Sequence, residues 1–103
     1  MMKYAREKGG PVLRNMTFQE RGLMLKKLAL HLHSIKEKFY PISFQTGATK
    51  IDSWIDIEGG IGNLFTNASL RRQFPDLPYH VEGDVAPLSK NGTFIGHHLM
   101  VPK

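Results

Sequence analysis

Trp54, Ile57, Ile61, Leu64, Phe65 and Ala68 follow one another at steps of three, four, three, one and three, a spacing that runs straight through Gly59, Gly60 and Gly62. Apolar residues so spaced share one face of a helix and no face of a strand. The feature is constraining because the same stretch, EGGIGNLF, otherwise reads as a glycine loop built to cradle a phosphate. A dinucleotide fingerprint needs G-x-G-x-x-G after a strand, and Gly60-Ile61-Gly62-Asn63-Leu64-Phe65 places an aromatic at the third glycine; no lysine follows as in a P-loop. The helical reading has a cost, because each interior glycine is about 0.8–1 kcal/mol worse than alanine. Close approach of another element would offset it, so Gly59, Gly60 and Gly62 are predicted to be close-packing positions, and Gly60→Leu to overpack.

Neighbouring signals extend the helical pattern. Thr17 and Glu20 form a capping box, which opens a helix whose apolar stripe is Phe18, Leu25, Leu28, Leu32 and Ile35. A second box, Ser34 with Glu37, predicts a break at Ser34 and a shorter helix through Phe39, Tyr40, Phe44 and Gln45. Pro41 is tolerated only in a first turn, so a late start or a kink is expected there. Gly47 is placed to end this helix in a left-handed conformation, and Thr49 with Asp52 to begin the next. At the N-terminus a short helix through Lys8, a break at Gly9-Gly10 and a restart at Pro11 are expected. The grammar changes from Gln73. Asn91-Gly92 predicts a two-residue type I′ turn between strands at roughly 85–90 and 93–101, with Val85, Leu88, Phe94, Ile95, Leu99 and Val101 as their apolar residues. The predicted fold class is α+β, mainly helical, with about three to four helices in 1–74 and a C-terminal β-hairpin in 79–103. A two-stranded sheet is marginal alone, and its edges invite pairing with another chain.

Composition narrows the functions. With 103 residues the chain is one domain at most, and its core is thin. The absence of cysteine removes disulfides, thiolate metal sites and a cysteine nucleophile. No apolar run is long enough for a membrane span, and MMKYAREKGG has no apolar segment like that of a secretory signal; the expectation is a soluble, cytoplasmic protein with no membrane partner. The net charge of +5, from 14 Lys and Arg against 9 Asp and Glu, permits an acidic partner. Its basic residues crowd the first forty positions but are interleaved with Glu7, Glu20 and Glu37, as on a solvated helix face, so no nucleic-acid partner is expected.

Chemistry-bearing groups are sparse. His31 and His33 diverge on a helix, and His97 and His98 alternate on a strand, so neither pair chelates locally; no metal site is expected. Asp52, Asp56 and Glu58 read as a charged helix face, since nothing at this spacing supplies a nucleophile or an oxyanion donor. No catalytic residue is assigned.

Three segments, MTFQERGLMLKKLALHL, FQTGATKIDSWIDIEGGIGNLFTNAS and PLSKNGTFIGHHL, carry a likeness. From about Tyr4 to Met100 the chain resembles the N-terminal part of the aldehyde dehydrogenase domain of the bifunctional ring-opening enzymes of bacterial phenylacetate degradation. The resemblance implies that the glycine stretch lies in helices flanking a nicotinamide-binding domain. It implies that the strands after it belong to an oligomerisation sheet, which makes Phe94, Ile95, His97 and Leu99 the candidate interface. The family oxidises aldehydes through a cysteine thiohemiacetal, hydride transfer to NAD(P) and glutamate-assisted hydrolysis. None of those catalytic or cofactor-binding residues has a counterpart here. The expectation is therefore a single partial domain, 1–103, with no cofactor of its own, NAD(P) in the parent family, and a structural or oligomerising role as a homo-oligomer or against the remainder of the parent enzyme. Two other readings stay open: a free-standing basic module for an acidic partner or nucleic acid, whose binding would weaken steeply with salt, and a small metal-dependent hydrolase using histidines and carboxylates.

Overall fold

A computed structural model of the chain describes residues 1–102. In chain order the elements are α1 (Met2–Tyr4), a π-helical stretch (Ala5–Gly9), α2 (Gly10–Asn15), α3 (Phe18–Ser34), a 3-10 turn (Lys36–Lys38), α4 (Tyr40–Phe44), α5 (Lys50–Ser69), a second 3-10 turn (Leu70–Gln73), and strands β1 (His80–Pro87) and β2 (Ile95–Met100). This is the mainly helical α+β class with a C-terminal hairpin. Lys103, the last residue of the expected hairpin segment, lies outside the described residues. Two compact units divide the chain: Glu20–Gln73, and Met1–Gln19 with the chain from Phe74 onward.

In the Glu20–Gln73 unit, α5 is continuous through the glycines, as its apolar spacing requires. The Thr49 hydroxyl oxygen accepts from the Asp52 N–H at 3.2 Å and donates to the Asp52 carboxylate at 2.6 Å, satisfying a helix-end donor with no helical partner. The glycines themselves contradict the close-packing expectation. All three are exposed, and apart from the adjoining backbone of α5 itself no atom lies within 4 Å of where a side chain at Gly59, Gly60 or Gly62 would begin. Gly59 and Gly62 lie off the face that carries the buried residues Ser53, Ile61 and Ala68, and Gly60, seven residues after Ser53, is exposed as well. The glycine that is packed is Gly22 of α3: a methyl group there would lie 2.7 Å from Cβ and Cδ of Arg71 and 3.0 Å from the Ala68 carbonyl oxygen. The α3 stripe is displaced accordingly. Gly22 and Ala29 are its buried residues, whereas Leu28 is 46% exposed.

The break after α3 occurs where expected, but by another mechanism. Ser34 is the last residue of α3, and its hydroxyl donates back to the His31 carbonyl at 2.7 Å, which also accepts from the Ile35 N–H at 3.3 Å, instead of capping the 3-10 turn. Ile35 precedes that turn with no side-chain cap. Pro41 falls in the first turn of α4, where its missing N–H costs no helical bond. Gly47, at φ +84°, closes the segment, its N–H donating to the Phe44 carbonyl. α4 packs on α5, and the Ser43 hydroxyl donates to the fully buried Ser53 hydroxyl at 2.8 Å.

In the other unit the expected break at Gly9-Gly10 is absent. Both glycines are right-handed and helical, and the Gly10 N–H reaches five residues back to Ala5. Pro11 accounts for the widened turn, since its ring crowds the preceding turn and it has no N–H to give. The segment from Phe74 is tied to the start of α3. The Phe18 N–H donates to the Leu77 carbonyl at 3.0 Å, and the Gln19 amide to the Phe74 carbonyl at 3.1 Å. The Phe74 ring stacks on Phe18 at 4.7 Å and makes a T-shaped contact with the His80 ring at 5.3 Å.

β1 and β2 pair antiparallel, from His80 opposite Met100 to Pro87 opposite Ile95, with an irregularity between Glu82 and Ala86. β2 falls within the expected 93–101, whereas β1 is offset from 85–90 because it starts earlier, directly after the Phe74 to Leu77 anchor. The loop is not the expected type I′ turn. That turn needs positive φ at both Asn91 and Gly92, and only Gly92 has it, at +64°. The turn is closed by the Gly92 N–H on Ser89, within a longer loop bounded by the Leu88 N–H to Phe94 carbonyl bond at 2.8 Å.

Candidate functional site

The candidate interface residues lie at the hairpin. Phe94 precedes β2, and its N–H donates to the Ser89 hydroxyl. Ile95, His97 and Leu99 alternate along β2 and so share one face, with Pro87 opposite Ile95 and Val81 opposite Leu99. Phe94, Ile95 and Leu99 are 64%, 58% and 59% exposed, and His97 is exposed as well. His98 stands opposite Glu82. Both histidines, with Glu82 and Asp84, border a hollow of about 410 Å³ beside the strand irregularity. His31 and His33 are exposed on α3. Among the described residues, no group of three or more His, Asp or Glu is placed to hold a metal ion.

The carboxylates of α5 are engaged locally. Asp52 belongs to the helix cap, and Glu58 forms an ion pair with Lys36, both side chains being about a quarter exposed. The hydrogen bond that Lys36 donates to the Glu58 carboxylate raises the Lys36 pKa above its ordinary 10.5, opposed in part by desolvation. A raised pKa means that the stabilisation carried by the charged Lys36 ammonium is lost as pH climbs from 10.5 through the folded-state value. Glu58→Gln is accordingly expected to flatten the alkaline limb of the stability profile. Melting temperatures of both proteins across that limb decide it. The glycine stretch is mid-helix, so its N–H groups are spent on main-chain bonds and cradle no phosphate.

A second concavity is not evident from the sequence. Tyr40 and Phe44 of α4, with Lys50, Ile51 and Trp54 of α5 and Glu37, line an open groove of about 590 Å³. Apolar spacing puts Trp54 on the buried stripe, yet it is 57% exposed, because it lies at the edge of that stripe and the short α4 does not cover it. The available signal is the i, i+4 pair Tyr40 and Phe44, whose rings lie 6.3 Å apart.

Much apolar surface remains uncovered. The accessible area is 8270 Å², whereas a folded chain of 11.7 kDa leaves about 5,900 Å², and two separate bodies of half that mass about 7,100 Å². Among the described residues, the buried apolar set is Ala29, Ile61 and Ala68. No helix among them is long and apolar enough to cross a membrane.

Comparison with known proteins finds similarity to the 3,4-dehydroadipyl-CoA semialdehyde dehydrogenase of Aromatoleum evansii, 28% identical over 102 residues. The similarity covers 98% of this chain and 20% of that protein, so the chain spans about a fifth of the length of the curated relative it matches. No family model matches the chain.

Proposed function

We propose that this chain is an N-terminal structural segment of an NAD(P)-dependent aldehyde dehydrogenase of phenylacetate catabolism, supplying packing and association surface while the catalytic groups lie elsewhere in the parent enzyme. The likeness to one fifth of a semialdehyde dehydrogenase supports the parentage. The substrate of the whole enzyme is then a CoA-linked semialdehyde and its product the acid. The nucleophile comes from outside the chain, which contains no cysteine.

The structural role rests on one observation above all, the excess of accessible surface. At 8270 Å² it exceeds even the two-body expectation by about 1,200 Å², which is on the scale of one partner's share of a standard or larger protein interface. Ile95, His97 and Leu99 form the strand face offered for association, with the exposed Phe94 preceding the strand, either to a second copy or to the rest of the dehydrogenase, because a two-stranded sheet gains most from an added strand or an apolar cover.

The test mixes this chain with the similar dehydrogenase from which the matching fifth has been removed. Co-sedimentation of the two pieces, with NAD(P)H formed from a semialdehyde only in the mixture, is the expected result. Failure to co-sediment at high concentration, with the chain itself a clean monomer, overturns the reading. Reduction of NAD(P) by the chain alone would overturn it from the other side.

A further inference from the structure

Asn91 and Gly92 stand at the tip of the β1–β2 loop, and both are exposed. Apart from its two chain neighbours, no residue has an atom within 4 Å of the position a Gly92 side chain would begin at. The Gly92 N–H is held by one turn bond, to the Ser89 carbonyl at 3.1 Å, outside the strand ladder. We propose that this pair is a site of spontaneous covalent modification, at which the main chain of Gly92 displaces the side-chain amide of Asn91.

The Gly92 nitrogen gives up its proton to solvent base and attacks Asn91 Cγ. The bond between Cγ and the Gly92 nitrogen forms, the bond from Cγ to Nδ2 breaks, and Nδ2 takes up a proton from water and leaves as ammonia. The resulting five-membered imide is opened by a second water. Addition at Cγ gives aspartate; addition at the main-chain carbonyl gives isoaspartate, in which the chain runs through the side-chain carbon. Water is the only co-reactant, and nothing is oxidised or reduced.

Local structure selects this asparagine over the rest. Asn15 ends α2 and precedes Met16, while Asn63 and Asn67 lie inside α5 before Leu64 and Ala68. Their following residues carry a Cβ that shields the nitrogen, and inside α5 that nitrogen is also bonded within the helix. Asn67 is further restrained, its Nδ2 donating to the carbonyl and side-chain oxygens of Asn63. At Gly92 neither the shield nor the helical bond exists. Breaking one exposed turn bond at a loop tip belongs to the low end of local opening costs. The products matter to the hairpin. Each adds a negative charge beside Lys90, and isoaspartate also lengthens the loop bounded by Leu88 and Phe94 by one main-chain carbon.

The experiment incubates the full chain at mildly alkaline pH beside a free peptide spanning Leu88 to Phe94. Digestion and mass spectrometry then read the exchange of NH2 for OH, and enzymatic isoaspartyl labelling separates the two products. Conversion confined to Asn91, with both products formed at a rate within about tenfold of the peptide's, is expected; tenfold is the slowing that an opening cost of about 1.4 kcal/mol imposes. Asn91→Gln is expected to remove the signal, and Gly92→Ala to slow it in chain and peptide alike. Slowing beyond about tenfold in the folded chain, or equal conversion at Asn63 and Asn67, overturns the proposal.

Discussion

Gly22→Val is expected to lower the stability of this chain by about 3 kcal/mol, the upper part of the range for overpacking. The first atom of any side chain at this position arrives 2.7 Å from Cβ of Arg71 and 3.0 Å from the Ala68 carbonyl oxygen. Cβ of Arg71 is attached directly to the main chain and cannot swing aside as the guanidinium could. That guanidinium is itself tied down, its Nη1 donating to the Ala68 carbonyl at 2.8 Å. The same closeness explains why a residue that costs a helix about 1 kcal/mol stands inside α3. Gly22→Ala recovers that propensity and still meets the clash, so a smaller net loss of about 1 kcal/mol is expected. A domain of this size has a total stability of roughly 5–15 kcal/mol, so the valine variant should show a plainly lower urea midpoint at unchanged slope. Equal midpoints for parent, alanine and valine proteins would mean that α3 does not approach Ala68 and Arg71 so closely.

The opposite sign is expected on α5. Replacing Gly59, Gly60 and Gly62 together by alanine should stabilise the chain by about 2.5 kcal/mol, the sum of three helix-interior glycine penalties. The positions are exposed, and the new methyl groups meet nothing within 4 Å apart from the adjoining backbone of α5 itself, so no packing cost opposes the gain. At about 4–8 °C per kcal/mol for a chain of this length, thermal melting resolves the effect easily. Gly60→Leu, which the apolar spacing alone marks as overpacking, is expected to be tolerated for the same reason. A lower melting temperature in the triple variant would refute this placement of the glycines.

The contrast between Gly22 and the α5 glycines shows where sequence reasoning reaches and where it stops. The Thr49 and Asp52 cap, the late start at Pro41, the closure at Gly47 and the helix through EGGIGNLF are all legible. Each is decided within a few residues by a hydrogen bond, a fixed φ or a periodic face. The exposed apolar residues of the hairpin are legible too, because two strands offer no third layer to cover Phe94, Ile95 and Leu99. The groove formed by Tyr40, Phe44 and Trp54 is not, since it depends on how little of α5 the short α4 covers.

By itself, then, the sequence determined the order and type of the elements, the ends of the main helices, and the absence of a cysteine nucleophile. Only the tertiary structure decided which glycine is packed, which aromatic is left in the open, how Pro11 widens a turn in place of a break, and that Asn91 sits in a longer loop instead of a two-residue turn. The reason is physical. Caps and turns are settled by atoms a few residues apart, whereas the cost of a Cβ at Gly22 is set by Arg71, far along the chain and brought near only when α3 and the end of α5 have packed.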